Sequence, residues 1–295
     1  MTTLPNSFGE YKNDAHNWIT LASGEYYPDI LTDACELYKP VLVLFGQILR
    51  ESESSKSLFL NIVALKKQPW MRTQLLRVFK RYVSPQLPVE MTKQVTKQQS
   101  IIEIYGHLFR SVNIVQSAYN SRPMPDEALC ALLWEIKDRG KKGYNLTEKI
   151  FRLVQETHPT LTILGPERAG RDILMKEIFS DYPNGDRPID FLIKEKDHIL
   201  AIGLARYDSD RGGAQEDDRT GGYTNCANEF AAYARQYGLD TKVIFLNDGP
   251  GLLLGSMWND YAKLEASWRG RIMVATLRMV VDRITKEWLY SAVEK

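Results

Sequence analysis

The spacing of apolar residues changes near residue 160 and divides the chain into two halves. Before that point, apolar residues recur every three or four positions, which predicts amphipathic helices. Pro69 and Asp126 have the residue types that begin helices, and Pro40 is expected to kink a helix or to start a new one. The predicted helical segments are 28–51, 55–67, 69–83, 98–120 and 126–140.

After residue 160, short apolar runs of strand type alternate with helical patterns, which predicts an α/β layer built on a mixed sheet. Segment 161–172 is rich in loop-forming residues. The predicted strands are 188–196, 198–208, 241–247 and 271–275. The predicted helices are 171–182, 224–238, 252–268 and 276–295. We therefore expect a helical domain over residues 1–160 and an α/β domain over residues 161–295.

Composition excludes several classes of protein. The 295 residues carry a formal net charge of +1, so binding to a polyanion must come from local patches. The 3 cysteines are far apart and form no C-x-x-C pair, which argues against a disulfide framework and a cysteine zinc site. The histidines show no metal-ligand spacing. With no signal-peptide run and no membrane-spanning segment in the sequence, a cytoplasmic protein is expected.

Carboxylates gather at the ends of the two central predicted strands. Asp190 lies on the first strand, and Asp208 and Asp210 follow the second, where alternate residues share one face. Oxygen ligands of this kind suit Mg²⁺, which usually takes one or two carboxylates together with water and substrate phosphate. Glu177, on the preceding predicted helix, is an outer candidate. The sequence predicts a magnesium site here.

Pro188-Ile189-Asp190, a hairpin, a second acidic pair, a helix and a strand together resemble the PD-(D/E)XK nuclease fold of type II restriction endonucleases. The resemblance covers roughly residues 168–248 and rests on a short, degenerate motif. It implies a restriction-endonuclease-like mixed-sheet core flanked by helices. It also implies Mg²⁺-dependent hydrolysis of phosphodiesters. Our hypothesis is that Asp190, Asp208 and Asp210 hold the metal and that Arg206 orients or neutralises the scissile phosphate.

The chain departs from the family pattern on the second strand. If the hairpin is tight, Gly203 and Ala205 occupy the positions of the acid and the lysine, and neither side chain binds metal or acts as a base. In one interpretation, Asp208 and Asp210 replace the missing acid. In another, the site is built differently, for example with Glu216 or Arg206, or is inactive.

The charged segment that follows has residue types that contact DNA. Arg211, Gln215 and Arg219 are candidates for phosphate or base contacts, since arginine pairs with guanine and glutamine with adenine. Gly212-Gly213 and Gly221-Gly222 bracket an expected loop. The alternative is a solvated network in which the arginines neutralise the acids of the loop itself.

The helical half offers a second basic region with aromatic residues interleaved. Glu90 is the only acid between Lys66 and Lys97. Such a region is suited to phosphate contacts, or it is a solvated helix face over core aromatics. The candidate DNA-binding residues are Lys66, Lys67, Arg72, Arg77, Lys80 and Arg81.

The sequence therefore predicts a Mg²⁺-dependent type II restriction endonuclease that cleaves a specific double-stranded DNA site. Two-fold DNA sites are matched by two-fold proteins, so a homodimer is expected. Two alternatives stay open. One is a catalytically inactive DNA-binding protein that keeps the nuclease fold, and the other is a helical adaptor that binds proteins.

Overall fold

The structure, a computed structural model, describes residues 6–21, 28–65, 68–137, 141–166, 171–208, 215–268 and 270–293. For residues 141–145 and 215–220 only the backbone is described. The contacts between residues divide the chain into two units. Gly24–Arg139 forms the helical unit, whereas Met1–Ser23 and Gly140–Lys295 together form the α/β unit. The N-terminal segment and the last helix before residue 160 thus belong with the sheet.

The N-terminal segment packs into the core of the α/β unit. It contains a 3-10 helix, Phe8–Asp14, and a short helix α1, Ala15–Trp18. The ring of Phe8 is fully buried and stacks on Trp258 with a centroid separation of 4.3 Å. This contact joins residues that are 250 positions apart in sequence.

The helical unit contains helices in all five segments that the apolar spacing predicts. Helix α2 continues through Pro40, where the sequence predicts a kink or a new start. Segment 98–120 is interrupted by the 3-10 helix Gly106–Leu108 and by extended backbone at Phe109. The helices are α2 (Leu31–Glu51), α3 (Ser55–Val63), α4 (Pro69–Tyr82), α5 (Val89–Thr92), α6 (Gln98–Tyr105), α7 (Val112–Asn120) and α8 (Glu127–Lys137).

The α/β unit alternates helices and strands. Its helices are α9 (Lys141–Thr157), α10 (Met175–Ile178), α11 (Gln215–Tyr237), α12 (Met257–Ser267), α13 (Val280–Arg283) and α14 (Lys286–Tyr290). Its strands are β1 (Thr162–Leu164), β2 (Ile173–Leu174), β3 (Pro188–Ile189), β4 (Phe191–Glu195), β5 (His198–Tyr207), β6 (Lys242–Asp248) and β7 (Ile272–Ala275).

Five of these strands form one mixed sheet in the order β1-β4-β5-β6-β7. The β1–β4 and β4–β5 pairs are antiparallel, whereas the β5–β6 and β6–β7 pairs are parallel. The parallel part is buried on both faces, as expected for strands connected through helices. Side chains of α11 and α12 cover one face, and those of α9, α13 and α14 cover the other. The predicted mixed α/β class is confirmed.

Several predicted elements differ in the structure. Segment 161–172 contains strand β1, which pairs with β4 and was expected to be loop. Most of the predicted helix 171–182 is not helical, because Ile173 and Leu174 pair with β3. The predicted C-terminal helix is broken into short helices. Pairing with a distant strand supplies hydrogen bonds that local spacing does not reveal.

The expected charged loop is partly helical. Helix α11 begins at Gln215, so Gly221 and Gly222 lie within a helix and do not end a loop. Each glycine costs a helix about 1 kcal/mol relative to alanine. Burial of Cys226, Ala227 and Phe230 against the sheet offsets that cost.

Candidate functional site

Two aspartates meet at the edge of the sheet where the parallel strands end. Asp208 follows β5 directly, and Asp248 is the last residue of β6. Since the carboxyl ends of parallel strands lie at one edge, the two residues are neighbours. The backbone N–H of Asp208 donates to the carbonyl oxygen of Asp248 at 2.7 Å. This strand edge is the candidate functional site.

Asp190 reaches the same region from the start of the hairpin. It lies between β3 and β4, and its Oδ2 accepts a hydrogen bond of 2.8 Å from the backbone N–H of Ala205. Burial raises the pKa of Asp190 above its ordinary value. The Ala205 N–H opposes that shift, and the negative charge of Asp172 adds to it. The carboxyl group of Asp190 is thus held against β5.

Asp208 is buried and ion-paired with the arginine two residues before it. Its side chain is 2% exposed, and its Oδ1 lies 3.1 Å from Nε of Arg206. The two residues share one side of the chain because strand side chains alternate. Arg206 is therefore engaged with an acid of the site itself.

Tyr223 on α11 lies close to both aspartates. Burial is the largest cause of its strongly raised pKa. The negative charges of Asp190 and Asp208 raise the pKa further, whereas Arg206 lowers it. The ring stacks on Phe245 of β6 at 4.4 Å, which fixes the tyrosine over the sheet. Tyr261 also raises this pKa, so the partly buried Tyr223 is influenced by Tyr261 as well as by Asp190, Arg206 and Asp208.

Asp248 was not singled out by the sequence analysis, although it has the most complete set of backbone contacts in the site. Its Oδ1 accepts from the backbone N–H groups of Thr20 and Gly249, each at 2.6 Å, and its Oδ2 accepts from Leu277 at 3.0 Å. Burial raises its pKa, and these three donors oppose the shift. Asp248 therefore ties the N-terminal segment to the strand edge.

Asn247, the preceding residue, was also missed. It is fully buried on β6 and pairs in register with Arg206 of β5. Neither Oδ1 nor Nδ2 of its amide has a hydrogen-bond partner among the described residues. The signal in the sequence was a pair of polar residues, Asn247 and Asp248, at the end of an apolar strand; the pairing of that strand with β5 places them at the site.

A tight backbone turn completes the edge. Gly249 has a φ of 110°, in the region that favours glycine. A Cβ built there would lie 2.4 Å from the carbonyl oxygen of Asp208. The turn brings Gly251 N–H to the same carbonyl at 2.9 Å. Close packing of the two strand ends therefore requires glycine at this position.

The other predicted site residues are distributed as follows. Glu177 lies on α10, where it pairs with Arg171 and accepts a hydrogen bond of 3.4 Å from the backbone N–H of Leu174. Asp210 and Arg211 lie outside the described residues. Gln215, Glu216 and Arg219 are in α11, and only their backbone is described. Of the three predicted metal ligands, the structure thus describes Asp190 and Asp208.

Within the described ranges, no group of three or more His, Cys, Asp and Glu side chains could hold a metal ion. Mg²⁺ does not require such a group, because it commonly takes one or two carboxylates and fills its shell with water and phosphate oxygens. Asp190 and Asp208 fit this requirement. The buried Oδ1 of Asn247, which has no hydrogen-bond partner among the described residues, is a further oxygen in the same region.

Helix α4 carries the described part of the basic region in the helical unit. Trp70, Arg77 and Arg81 fall within roughly 40° of one another around the helix, with Lys80 beside them. Trp70 is 44% exposed, whereas Phe79 belongs to the core. Arg72 lies on the opposite, buried side of α4, and its Nε has no hydrogen-bond partner among the described residues.

The basic face of α4 thus consists of Arg77 and Lys80, which are half-buried, and Arg81, which is exposed. Arg77 also donates a hydrogen bond of 3.0 Å to the side chain of Gln74. Lys66 and Lys67 are outside the described residues.

Comparisons with models of protein families, with curated proteins and with solved structures find no match to this chain. Each helix in the described part of the chain is too short or too polar to cross a membrane.

Proposed function

We propose that this chain is a Mg²⁺-dependent nuclease, specifically a type II restriction endonuclease that hydrolyses phosphodiesters at a particular double-stranded DNA sequence. Asp190 and Asp208 are the proposed metal ligands. Arg206 is proposed to exchange its ion pair with Asp208 for an oxygen of the scissile phosphate. Asp210, outside the described residues, stays a candidate third acid.

One observation carries the proposal. The half-buried carboxylate of Asp190, at the start of the hairpin, is held by the backbone N–H of Ala205 on β5, and the buried carboxylate of Asp208 follows the end of the same strand, paired with Arg206. Buried acids are costly unless they are paired or bind a cation. A bound Mg²⁺ would neutralise developing charge on a phosphate and lower the pKa of an attacking water.

The order of elements supports the nuclease assignment. Helix α9 is followed by β1, by the β4–β5 hairpin that begins at Asp190, by α11 and by the parallel strand β6. This agrees with the order acid, hairpin, acid, helix and strand on which the resemblance to PD-(D/E)XK nucleases rests. A restriction-endonuclease-like core is therefore the proposed finer description of the α/β unit.

DNA binding is proposed for the basic face of α4, Arg77, Lys80 and Arg81. Neutralising phosphates with such residues releases counterions, so the affinity should fall steeply with salt. A homodimer is proposed because a two-fold symmetric DNA site is matched by two copies of one chain. Removing Lys80 and Arg81 together should reduce the slope of log affinity against log salt by about 2 for a site that contacts both residues.

The test compares Asp190→Ala with Asp197→Ala, which removes an exposed acid at the far end of the same hairpin. Long mixed-sequence DNA is incubated with each protein in Mg²⁺ and in EDTA. We expect discrete fragments from wild type and Asp197→Ala in Mg²⁺ only. Asp190→Ala should bind DNA in a mobility-shift assay without cutting it. Equal cleavage by Asp190→Ala would remove this residue from the site.

A catalytically inactive DNA-binding protein is the second candidate, and a specific contact favours it. The Phe191 ring fills the space beside Gly203, where the family pattern has an acid. This candidate predicts salt-dependent DNA binding in EDTA and intact DNA under all metal conditions. Fragments that appear with Mg²⁺ would exclude it.

A further inference from the structure

Asn247 is a buried amide whose polar atoms are unused by the described residues. Its side chain is fully buried, and both Oδ1 and Nδ2 lack a hydrogen-bond partner there. Buried polar groups in folded proteins are nearly always hydrogen-bonded to protein, water or a ligand. An amide at a candidate site that finds no partner among the described residues therefore indicates that another group, such as a water molecule or a ligand, binds it.

Asn247 lies beside the strand end that carries Arg206 and Asp208. Val243 and Phe245, two and four residues earlier on β6, belong to the core on the α11 side of the sheet. Asn247 faces the same side because strand side chains alternate. Its register partner is Arg206, which binds Asp208. Adjacent strands are about 4.8 Å apart, so the amide is a direct neighbour of the Arg206–Asp208 pair.

The chemistry of an amide suits a site that already holds two negative charges. When no cation is bound, a third carboxylate would repel Asp190 and Asp208, whereas an amide oxygen provides an acceptor without charge. Hard cations such as Mg²⁺ and Ca²⁺ accept asparagine oxygens, either directly or through a bound water. Outer partners of this kind orient the ligands of a metal and contribute to its affinity.

We propose that Asn247 is a positioning residue of the cation site, whose Oδ1 accepts a hydrogen bond from a water molecule bound to the divalent cation of Asp190 and Asp208. This inference rests on the proposed function. It adds a residue from β6, a strand to which the acidic motif of the sequence assigns no site residue.

The experiment measures cation binding to the intact protein without DNA cleavage. Ca²⁺ and Mg²⁺ are titrated calorimetrically into wild type, Asn247→Leu, Asn247→Asp and Asp190→Ala. The control is Asn120→Leu, which changes an exposed asparagine of the helical unit. Melting temperatures with and without Ca²⁺ give a second readout, since a ligand stabilises only the form that binds it.

We expect Asn247→Leu to melt no lower than wild type without metal, because leucine removes an unpartnered polar group. Its Ca²⁺ affinity should be at least tenfold weaker, and its melting temperature should respond less to Ca²⁺. Asn247→Asp should restore the affinity, as a purely structural role would not predict. Asn120→Leu should bind as wild type does. If leucine does not fold at this position, Asn247→Val removes the same acceptor with a smaller apolar side chain.

Wild-type affinity in Asn247→Leu, with loss of binding in Asp190→Ala, would overturn the inference and leave the proposed function in place. Absence of cation binding to the wild-type protein, alone and with DNA, would overturn the proposed function together with the inference.

Discussion

The aromatic ring of Phe191 occupies the space that a side chain at Gly203 would need. The two residues are register partners on the β4–β5 hairpin, and a Cβ built at Gly203 would lie 2.0 Å from Cζ of the ring. The ring is fully buried in the core between the sheet and α9. Glycine at this position is thus a packing requirement, and the acid of the family pattern would not fit beside Phe191.

Replacing Gly203 with alanine should destabilise the protein by about 1–3 kcal/mol, as expected when extra volume is forced into a packed core. Urea unfolding measures this change. Gly221→Ala is the matched control, since a Cβ there meets nothing within 4 Å and lies in a helix. The control should be neutral or stabilising by up to about 1 kcal/mol.

A second substitution tests the cause of the Gly203→Ala effect. Phe191→Leu provides space beside Gly203, so the double variant should lose less stability than the sum of the two single variants. Simple additivity of the two losses would contradict the assignment of the strain to this ring.

The buried ion pair Glu265–Arg283 should make a large contribution to stability. Oε1 of Glu265 accepts from Nη2 of Arg283 at 2.7 Å and from the backbone N–H of Phe8 at 2.8 Å. Oε2 accepts from Val274 N–H at 2.8 Å. Glu265→Ala leaves a buried charge and two backbone donors without this acceptor. We expect a loss of about 3–5 kcal/mol in the free energy of unfolding.

The exposed pair Lys93–Glu90, with a separation of 4.0 Å, provides the comparison for Glu265. Glu90→Ala should change the free energy of unfolding by less than about 1 kcal/mol. A similar loss for both variants would show that burial does not control the strength of these ion pairs.

Asp248 should control how firmly the N-terminal segment is attached to the sheet. Asp248→Ala removes the acceptor for the backbone N–H groups of Thr20, Gly249 and Leu277. Unsatisfied buried donors cost about 1–3 kcal/mol each, so a loss of at least about 2 kcal/mol is expected. Hydrogen exchange at these three amides should accelerate, whereas the exposed control Asp181→Ala should leave it unchanged.

Lys242 should give stability a dependence on alkaline pH. It is fully buried, and its Nζ donates to Gly270 O at 2.8 Å and to Ser291 O at 2.6 Å. Burial, helped by the charge of Arg271, lowers the pKa of Lys242 from 10.5 to about 8. Between these values the unfolded chain binds the proton more readily, so stability should rise with pH by at most about 1.4 kcal/mol per pH unit.

The measurement for Lys242 is the difference in unfolding free energy between wild type and Lys242→Met from pH 7 to 10.5. That difference should shift in favour of wild type as the pH rises. Parallel curves over the whole range would mean that the buried ammonium keeps its proton.

Local pattern was sufficient for the central elements of the fold. The alternation and apolar content of 188–208 predicted the β4–β5 hairpin, and the run at 241–247 predicted β6, because strands buried on both faces have a strong local signature. The spacing of apolar residues predicted the helical segments of residues 28–140 equally well. Asp190 and Asp208 could be named because acids at strand ends stand out against apolar runs.

Tertiary structure decided what those elements contact. Strand β1 is only three residues long and exists through pairing with β4. The N-terminal segment joins the sheet through Thr20 and Asp248, which are 228 positions apart. Asn247 and Tyr223 enter the site because parallel pairing and helix packing bring them to Arg206 and Asp208. The periodicity of the local sequence predicts helices and strands, whereas a site formed by distant segments depends on long-range packing and desolvation.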